Sequence, residues 1–394
     1  PKAFLWGTAT AGFQVEMGCP TLPAEQCEDR HSDWYQWVTD PALVKKKALY
    51  LSGEPVATGP GMWETYDSDF RCANEGLHNN AVRISIEWSR LFPDASAGTA
   101  KTVDELAKHV DESAVKGYRA MLQSAIDRGL RPMVTLHHYT LPLWIHDGKD
   151  CHLNGTDTCK LRGWLDRERT VAAMALYAGY CGKRFGDLVD LWATLNEPYA
   201  VVLSGYILPS ADRTNPPGKF FQVKDAIDAA FAMMEAHARM YDAVVANDKI
   251  DADNDGKTAR IGLVNNLTAI DPVDPNNPAH VTAAKHLDHV YNHLFLEATI
   301  NGRIDRDLDG TFEKTREDMA GRMDWIGINY YTRMYAHDVR LPGSDGFAYL
   351  DSSPDLSKGL WINYPQGLAR VVEFAATTFK LPVIVTENGT ANDK

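Results

Sequence analysis

Two glutamates, each beside an asparagine at the end of an apolar run, are the residues in this sequence best placed to do chemistry. Glu197 lies in TLNEP and Glu387 lies in VTENG. Either glutamate alone is typical of a strand-end acid that pairs with a surface lysine. Two carboxylates at one site can instead cleave a glycosidic bond, because one donates a proton to the leaving oxygen while the other attacks the anomeric carbon.

Two further polar residues support this interpretation. Asn196 precedes Glu197 and can hydrogen-bond the sugar hydroxyl next to the reacting carbon. In AVRISIEWSR, Arg83 shares one strand face with Glu87, while apolar residues occupy the other face. An arginine inside a sheet needs a carboxylate partner, and both Glu387 and Glu87 are candidates. Beside Glu387, the arginine would keep that carboxylate ionised for attack, whereas pairing with Glu87 would be purely structural.

The elements that position these residues alternate along the chain. Short apolar runs predict strands at 4–12, 81–89, 131–139, 190–198, 260–266, 324–332 and 381–389. Amphipathic stretches between them predict helices at 111–129, 168–186, 222–247, 280–300 and 364–379. Strands that alternate with helices form parallel sheets. Because the strands end in polar or aromatic residues, the pattern predicts an α/β fold of the (β/α)8 TIM-barrel type, with the chemistry at the C-terminal ends of the strands.

An eighth strand is not visible in the sequence. We predict a single barrel catalytic domain over residues 1–394 that is incomplete at its C-terminal end, because the sequence stops five residues after Gly389. Seven strands would leave two unpaired edges. Activity is then expected to need a complementing C-terminal segment from the same native chain or a second one. An open doubly wound sheet is the alternative, but no glycine-rich phosphate loop follows an early strand.

Composition restricts the classes of partner. The chain has 394 residues, 44% of them hydrophobic, and a formal net charge of −13. No uninterrupted apolar stretch approaches the ~20 residues of a membrane helix, so a membrane partner is not expected. No basic cluster is present, which argues against nucleic acid. An acidic chain with 10 Trp and 16 Tyr suits a neutral, hydroxyl-rich small molecule.

The cysteines indicate the cellular compartment. Four of the six form two pairs of equal spacing, Cys19 with Cys27 and Cys151 with Cys159. Short equal loops favour two local disulfides over reduced surface thiols, and with a first residue other than methionine they indicate a secreted or periplasmic protein, with a cytoplasmic one as the alternative. Cys72 and Cys181 lie in helical patterns and are predicted to be buried thiols.

Four ordered motifs carry a resemblance to a known family. FLWGTATAGFQVE, TLNEP, GINYYT and VTENG resemble glycoside hydrolase family 1, the β-glucosidase and β-galactosidase group. SDWYQWV, LPLWIHD and RMDWIGINYYTR bring the sequence closest to the archaeal-type β-glycosidases. The resemblance covers essentially the whole chain. It implies a (β/α)8 barrel and a retaining mechanism through a covalent glycosyl-enzyme, with Glu197 as general acid/base and Glu387 as nucleophile.

The resemblance also assigns binding residues. Gln14 and His138 match positions that bind hydroxyls of the non-reducing sugar, and Asn196 matches the asparagine that contacts the 2-hydroxyl. Arg83 and Tyr331 match residues that position the nucleophile. Another asparagine of the mouth matches Asn265 or Asn266, of which we select Asn266. Tyr139 departs from the family, which usually has tryptophan there, and could reshape the floor of the sugar site.

The sequence therefore predicts a retaining β-glycosidase for β-glucosides, and for β-galactosides or β-fucosides, that requires no cofactor for catalysis. A homo-oligomer is compatible with this prediction. One alternative is a catalytically inactive sugar-binding subunit or fragment, favoured by the absent strand. Another is a 6-phospho-β-glycosidase, whose phosphate-binding residues would lie beyond Lys394.

Two acidic stretches, DADNDG and DRDLDG, have the start of a calcium loop. Their carboxylates are Asp251, Asp253, Asp255, Asp305, Asp307 and Asp309. The twelfth positions are Gly262 and Arg316, so neither loop has the usual bidentate glutamate. A structural calcium ion and a plain acidic turn both fit. No histidine pair has the spacing of a catalytic metal site.

Overall fold

The computed structural model describes residues 4–210, 213–340, 349–351 and 362–389. In chain order its strands are β1 (Gly7–Ala9), β2 (Ala81–Ser85), β3 (Arg131–His137), β4 (Leu191–Asn196), β5 (Arg260–Asn265), β6 (Ala269–Pro272), β7 (Arg303–Ile304), β8 (Lys314–Thr315), β9 (Trp325–Tyr330), β10 (Arg333–Arg340), β11 (Tyr349–Asp351) and β12 (Val383–Asn388). Seven of them form one sheet in the order β1-β2-β3-β4-β5-β9-β12, with every pairing parallel. All seven predicted strands are confirmed, and their polar ends meet at one rim of a nearly closed barrel.

Long helices cover the outside of this sheet. They are α1 (Met62–Arg71), α2 (Glu112–Asp127), α3 (Arg167–Phe185), α4 (Val223–Asn247) and α6 (Gln366–Phe379), whereas α5 (Pro278–Asp288) packs on β6 and β10. Shorter helical segments include Gly12–Val15, Asp33–Thr39, Gly148–Asn154 and Pro198–Val202. The helix predicted over 280–300 is interrupted, because wider π turns follow α5 at His289–His293 and Glu297–Asn301.

Local chemistry explains where these helices begin. The carboxylate of Asp111 accepts hydrogen bonds from the first backbone N–H groups of α2, and the amide oxygen of Asn277 does the same for α5. Pro278 follows Asn277 at the first helical position, where a missing N–H costs nothing. These capping hydrogen bonds fix the residue at which each helix begins.

Two hydrophobic clusters pack on the two faces of the barrel strands. The larger cluster fills the space between the strands and the helices and includes the fully buried Trp192, Tyr177 and Phe185. A smaller cluster consists of Met133, Leu191, Ala193, Val264 and Trp325, which come from β3, β4, β5 and β9. These side chains share the other face of the same strands. Burial on both faces explains why the strands are apolar almost throughout.

The sheet is open along one side. In the described residues, β1 and β12 form no ladder with each other, so each has one unpaired edge. A cavity of about 1190 Å³ lies between them and is lined by residues of both strands. Trp6 beside β1 is 64% exposed and Val385 in β12 is 42% exposed. This opening, which we call the edge gap, reaches the rim that carries the polar strand ends.

A small accessory sheet lies at the rim formed by the C-terminal ends of the barrel strands. Its order is β11-β10-β6, with β10 parallel to β6 and antiparallel to β11. A separate two-stranded hairpin joins β7 and β8. Neither sheet was predicted, because β6, β7, β8 and β11 have only two to four residues and β10 mixes polar and apolar residues.

The cysteine predictions are confirmed with one exception. The structure contains the disulfides Cys19–Cys27 and Cys151–Cys159, and Cys181 is a buried thiol. Cys72 was predicted to be buried and is exposed, because it lies in the wide turn that ends α1 rather than on the inner face of that helix. Among the described residues, no helix combines the length and apolarity that crossing a bilayer requires.

Candidate active site

Glu197 and Glu387 are both placed at the rim by local departures from regular structure. Glu197 follows β4 directly and has a left-handed backbone, with φ of 43°. Pro198 then starts a short helix, so the chain turns sharply at the glutamate. In β12 the pairing with β9 shifts between Val385 and Glu387. Such irregularities re-aim a side chain next to a site, and a non-glycine residue with positive φ is a strained feature that function often explains.

Arg83 connects the two strand ends that carry the glutamates. It is 4% exposed, and its Nη1 donates to Glu387 Oε1 at 2.7 Å. Its Nη2 donates to Asn196 Oδ1 at 2.6 Å, and its Nε donates to Thr135 Oγ1 at 2.8 Å. Each of the three guanidinium nitrogens therefore donates a hydrogen bond. Of the two partners predicted for Arg83, the structure gives Glu387.

Glu87 is part of a different network. Its carboxyl accepts hydrogen bonds from the hydroxyls of Ser85 and Thr140 and is 2% exposed. Burial, followed by the charges of Glu16 and Asp29, raises the pKa of Glu87 to about 8. The alternative of a structural Arg83–Glu87 pair is therefore wrong, because the carboxylate that Arg83 pairs with is that of Glu387.

The second oxygen of Glu387 is held by Tyr331, whose hydroxyl donates to Oε2 at 2.5 Å. Burial and the neighbouring charge of Glu387 raise the pKa of Tyr331 above its ordinary range, so this hydroxyl keeps its proton. Each oxygen of Glu387 therefore accepts a bond from a fixed donor. Its side chain remains 19% exposed toward the cavity.

Glu197 has a separate set of donors and is more deeply buried, with 2% exposure. The amide of Asn329 donates to Oε1 at 2.7 Å. The hydroxyl of Tyr139 donates to Oε2 at 2.8 Å, and Nη1 of Arg213 donates to the same oxygen at 2.9 Å. The hydroxyl of Thr386 donates to Asn329 Oδ1, which fixes the orientation of that amide. The two carboxylates thus differ in both burial and hydrogen bonding.

Sequence reasoning missed Asn329, Arg213 and the role of Tyr139 as a partner of Glu197. Asn329 had a usable signal, since it shares a strand face with Tyr331 two residues later. Tyr139 has a left-handed backbone with φ of 75°, a feature that sequence does not reveal. Arg213 lies in an irregular loop, and nothing in its spacing indicates the carboxylate that it meets.

His138 and Gln14 lie in the wall of the cavity that contains Glu387. The amide nitrogen of Asn196 lies 3.1 Å from His138 Nε2. Burial, followed by the charge of Arg83, lowers the pKa of His138 well below its usual value, so the imidazole is neutral. Its Nδ1 has no hydrogen-bond partner in the described part of the chain. The structure therefore brings His138 and Gln14 to the same cavity as Glu387, Tyr331 and Arg213.

Asn266 is placed differently from the other predicted binding residues. Its side chain donates to the hydroxyl of Tyr291 at 2.6 Å, and it does not line the cavity. The neighbouring Asn265 is buried, with an unpartnered Nδ2. The structure thus does not bring Asn266 into contact with either glutamate.

The two acidic loops behave differently from each other. In the second loop, Asp305, Asp307, Asp309 and Glu313 each offer an oxygen, and these oxygens lie within 4.8 Å of one another. Glu313 is at the ninth loop position, which sequence analysis did not consider.

In the first loop, Asp251 and Asp253 gather with Asp190, but arginines already compensate part of the charge. Arg131 pairs with Asp253, and Arg260 pairs with Asp255. Calcium at either loop stays a prediction, with the second loop better suited.

Comparison with known proteins places this geometry in a family. The model of glycosyl hydrolase family 1 matches residues 1–394. The chain belongs to glycosyl hydrolase family 1. A β-galactosidase of Pyrococcus woesei is 35% identical to it over 100% of this chain and 82% of that protein.

Solved structures agree with this family assignment. The β-glycosidase of Thermosphaera aggregans is 26% identical, with a TM-score of 0.81 over 100% of this chain and 81% of that one. A β-glucosidase mutant derived from a hyperthermophilic tetrameric structure is 28% identical, with a TM-score of 0.77 over 100% and 79%. This family 1 member is thus a glycoside hydrolase on a (β/α)8-type barrel.

Proposed function

We propose that this family 1 hydrolase cleaves β-glucosides, and also β-galactosides or β-fucosides, with retention of configuration at the anomeric carbon. The relatives described above are a β-galactosidase, a β-glycosidase and a β-glucosidase, which supports this substrate class. The observation that carries the proposal is the pair of rim carboxylates joined through Arg83 and Asn196, each with its own donors. In retaining glycosidases the two catalytic carboxyl groups lie about 5–5.5 Å apart, and we expect this separation between Glu197 and Glu387.

In the first step, Glu387 attacks the anomeric carbon and the bond from that carbon to the aglycone oxygen breaks. Glu197 gives its proton to the departing oxygen, and Glu387 becomes the ester of a glycosyl-enzyme. In the second step, Glu197 takes a proton from water, the water oxygen bonds to the anomeric carbon, and the ester bond to Glu387 breaks. Two inversions give net retention.

The surroundings support this division of roles. Glu387 is the more exposed of the two toward the cavity, and Arg83 with Tyr331 fixes both of its oxygens for attack. Asn196 is held by Arg83 and lies beside His138, which lines the cavity. Gln14 and His138 supply further polar groups in the same wall.

Azide rescue separates the two roles. We expect Glu387→Ala to lose essentially all turnover of an aryl β-glucoside and to give an α-glycosyl azide when azide is added, because azide then attacks from the nucleophile's side. Glu197→Ala should lose about 10²–10⁴-fold with poor leaving groups and give a β-glycosyl azide. The exposed Glu54→Ala serves as the control. Wild-type turnover by Glu387→Ala would sink the assignment.

The edge gap beside Glu387 favours one rival, a catalytically inactive sugar-binding subunit. Assays of an aryl β-glucoside with the chain alone and with a version extended at its C-terminus test this rival, because an inactive subunit turns over the substrate in neither form. Parallel assays on a 6-phosphoglucoside test the phosphorylated-substrate alternative.

An oxidising location outside the cytoplasm is part of this proposal. The disulfides Cys19–Cys27 and Cys151–Cys159 support it, because such bonds persist in oxidising compartments. Thiol titration of the protein from its native cells should then find only the two free cysteines, Cys72 and Cys181. Six reactive thiols would indicate a cytoplasmic protein.

We also propose a structural calcium ion at the second acidic loop. Four carboxylate oxygens from Asp305, Asp307, Asp309 and Glu313 lie close together, and hard oxygen ligands are those that calcium prefers. His289 donates to Asp305, but the other three carboxylates of the loop have no such cationic partner among the described ion pairs. Their mutual repulsion supports a bound cation.

A further inference from the structure

His280, His337 and Asp338 meet where α5 packs on the accessory sheet. His280 is the third residue of α5, and the other two are consecutive residues of β10. One nitrogen or oxygen from each of the three side chains lies within 4.8 Å of the others. None of the three lines the cavity that contains Glu387. The cluster is therefore separate from the site described above.

The contacts within this cluster are close but poorly satisfied. His337 Nδ1 lies 2.7 Å from Asp338 Oδ1, and His280 Nε2 lies 3.8 Å from the same oxygen. The two imidazole rings have centroids 4.3 Å apart. Nevertheless, His337 Nδ1 and His280 Nδ1 are each shielded from solvent, and neither forms a hydrogen bond with a residue that the structure describes. Buried polar atoms without a partner are uncommon and require an explanation, such as an ion.

The fold holds these side chains in place before any ligand arrives. Consecutive residues of a regular strand point to opposite faces. β10 pairs with β6 only as far as Ala336, and its register with β11 shifts between Ala336 and Arg340, so His337 and Asp338 lie in the irregular part. Ala283 and Ala284 of α5 pack against Ile270 and Ala336, which fixes His280 relative to β10.

We propose that His280, His337 and Asp338 bind one divalent transition-metal ion of the zinc class. Two imidazoles and one carboxylate are a common donor set for zinc, whereas calcium sites are built from oxygen. His337 and Asp338 are 40% and 49% exposed, so the ion can enter and keep a solvent ligand. The ion would join α5 to β10, which begins two residues after Tyr331.

A simple ion pair explains the cluster less well. A histidine–aspartate pair at the surface would adopt hydrogen-bond geometry, and His337 Nδ1 lacks it despite the short distance. Such a pair would also leave the close approach of His280 without a cause. The ordinary pair between His293 and Asp288, at 3.2 Å, provides a matched comparison, since no metal-ligating cluster of the described residues includes it.

Titration calorimetry with zinc tests this proposal. The full chain, treated with a chelator and dialysed, should bind one zinc ion per molecule at this site, and cobalt should give the visible absorption of a nitrogen- and oxygen-ligated ion. His337→Ala and Asp338→Asn should weaken zinc binding at least about tenfold. His293→Ala should bind zinc as the wild type does. A large excess of calcium should leave the cobalt spectrum unchanged.

A loss of zinc ligands can be distinguished from a folding defect in these variants. His337 and Asp338 are partly exposed, and circular dichroism of each metal-free variant should match that of the wild type. The proposal is overturned if the wild type binds no zinc. It is equally overturned if His337→Ala and Asp338→Asn bind zinc as tightly as the wild type, because the ion would then lie elsewhere.

Discussion

At the residue scale, Glu197 and Glu387 are given different tasks by the side chains around them. Glu387 accepts from Arg83 and Tyr331 and keeps a face open to the cavity. Glu197 is almost fully enclosed and accepts from an amide, a phenol and a guanidinium. Its three donors occupy three of the four lone pairs of the carboxylate, so Oε1 still has a position for the proton that Glu197 must carry to act as an acid.

Removing the tyrosine hydroxyl tests how much the orientation of Glu387 matters. Tyr331→Phe deletes one of two bonds that fix this carboxylate, and a hydrogen bond to a charged group contributes about 1.5–3 kcal/mol. We expect kcat to fall roughly 10- to 100-fold with little change in KM, because the loss falls on the attacking group.

Tyr330→Phe is the matched control, since its hydroxyl donates to the backbone oxygen of Tyr364 rather than to a rim carboxylate. Steady-state kinetics on an aryl β-glucoside gives both values. An unchanged kcat in Tyr331→Phe would mean that Arg83 alone orients the nucleophile.

The charged site residues that sequence reasoning found lie in strands or directly after them. Glu197, Glu387 and Arg83 stand out because charged groups in apolar runs need a reason. Arg213 escaped because a loop has no periodicity from which a contact can be predicted. Asn266 is the first residue after β5, and its side chain donates to the hydroxyl of Tyr291 instead of reaching the cavity.

At the element scale, the strands of the barrel were predictable and the accessory sheet was not. Parallel strands buried on both faces become apolar runs, and the alternation with helices restricts their order. β10 reads RMYAHDVR, in which polar and apolar residues are mixed because one face meets solvent. The bulge in β12 that aims Glu387 is likewise a matter of register, which depends on the neighbouring strand.

Calcium should stabilise the protein through the second acidic loop. An ion at about 100 times its Kd adds about 2.7 kcal/mol to the free energy of unfolding, so the thermal midpoint should rise when calcium is added. Glu313→Gln and Asp307→Asn should abolish most of this rise, because each removes a charged ligand.

The control for this experiment lies in the first loop. Asp255→Asn breaks the pair with Arg260 and should lower the midpoint without changing the response to calcium. Thermal unfolding with calcium and with a chelator, followed by circular dichroism, measures all four proteins. Equal responses of wild type and Glu313→Gln would contradict a calcium ion at this loop.

At the scale of the whole molecule, the edge gap and the catalytic cavity are one space. The cavity wall runs from Gly7 in β1 past Gln14 and His138 to Glu387 and Asn388 in β12. The predicted absence of an eighth strand agrees with this open arrangement, while the contacts across the rim depend on loops that sequence patterns did not place. Within the described part of the chain, Glu387 therefore faces a cavity that reaches both the rim and the edge gap.

The free energy of unfolding of the whole molecule depends on pH, and the contribution of Glu87 to this dependence follows from its pKa. The pKa of Glu87 is about 8 in the folded state and near 4.5 in an exposed chain. Between these two pH values, the folded protein keeps a proton on Glu87 that the unfolded chain releases. The contribution of this group is fully present below pH 4.5 and is lost as pH rises through 8. Its slope reaches at most about 1.4 kcal/mol per pH unit.

Glu87→Gln keeps the shape of the side chain and removes its proton equilibrium, while the hydroxyls of Ser85 and Thr140 can rotate to meet an amide. We therefore expect the free energy of unfolding of this variant to fall less between pH 5 and pH 8 than that of the wild type. Urea unfolding at several pH values measures the difference, with Glu54→Gln as the exposed control. Parallel curves for wild type and Glu87→Gln would show that Glu87 is ionised in the folded protein, and that the hydroxyls of Ser85 and Thr140 outweigh the effect of burial.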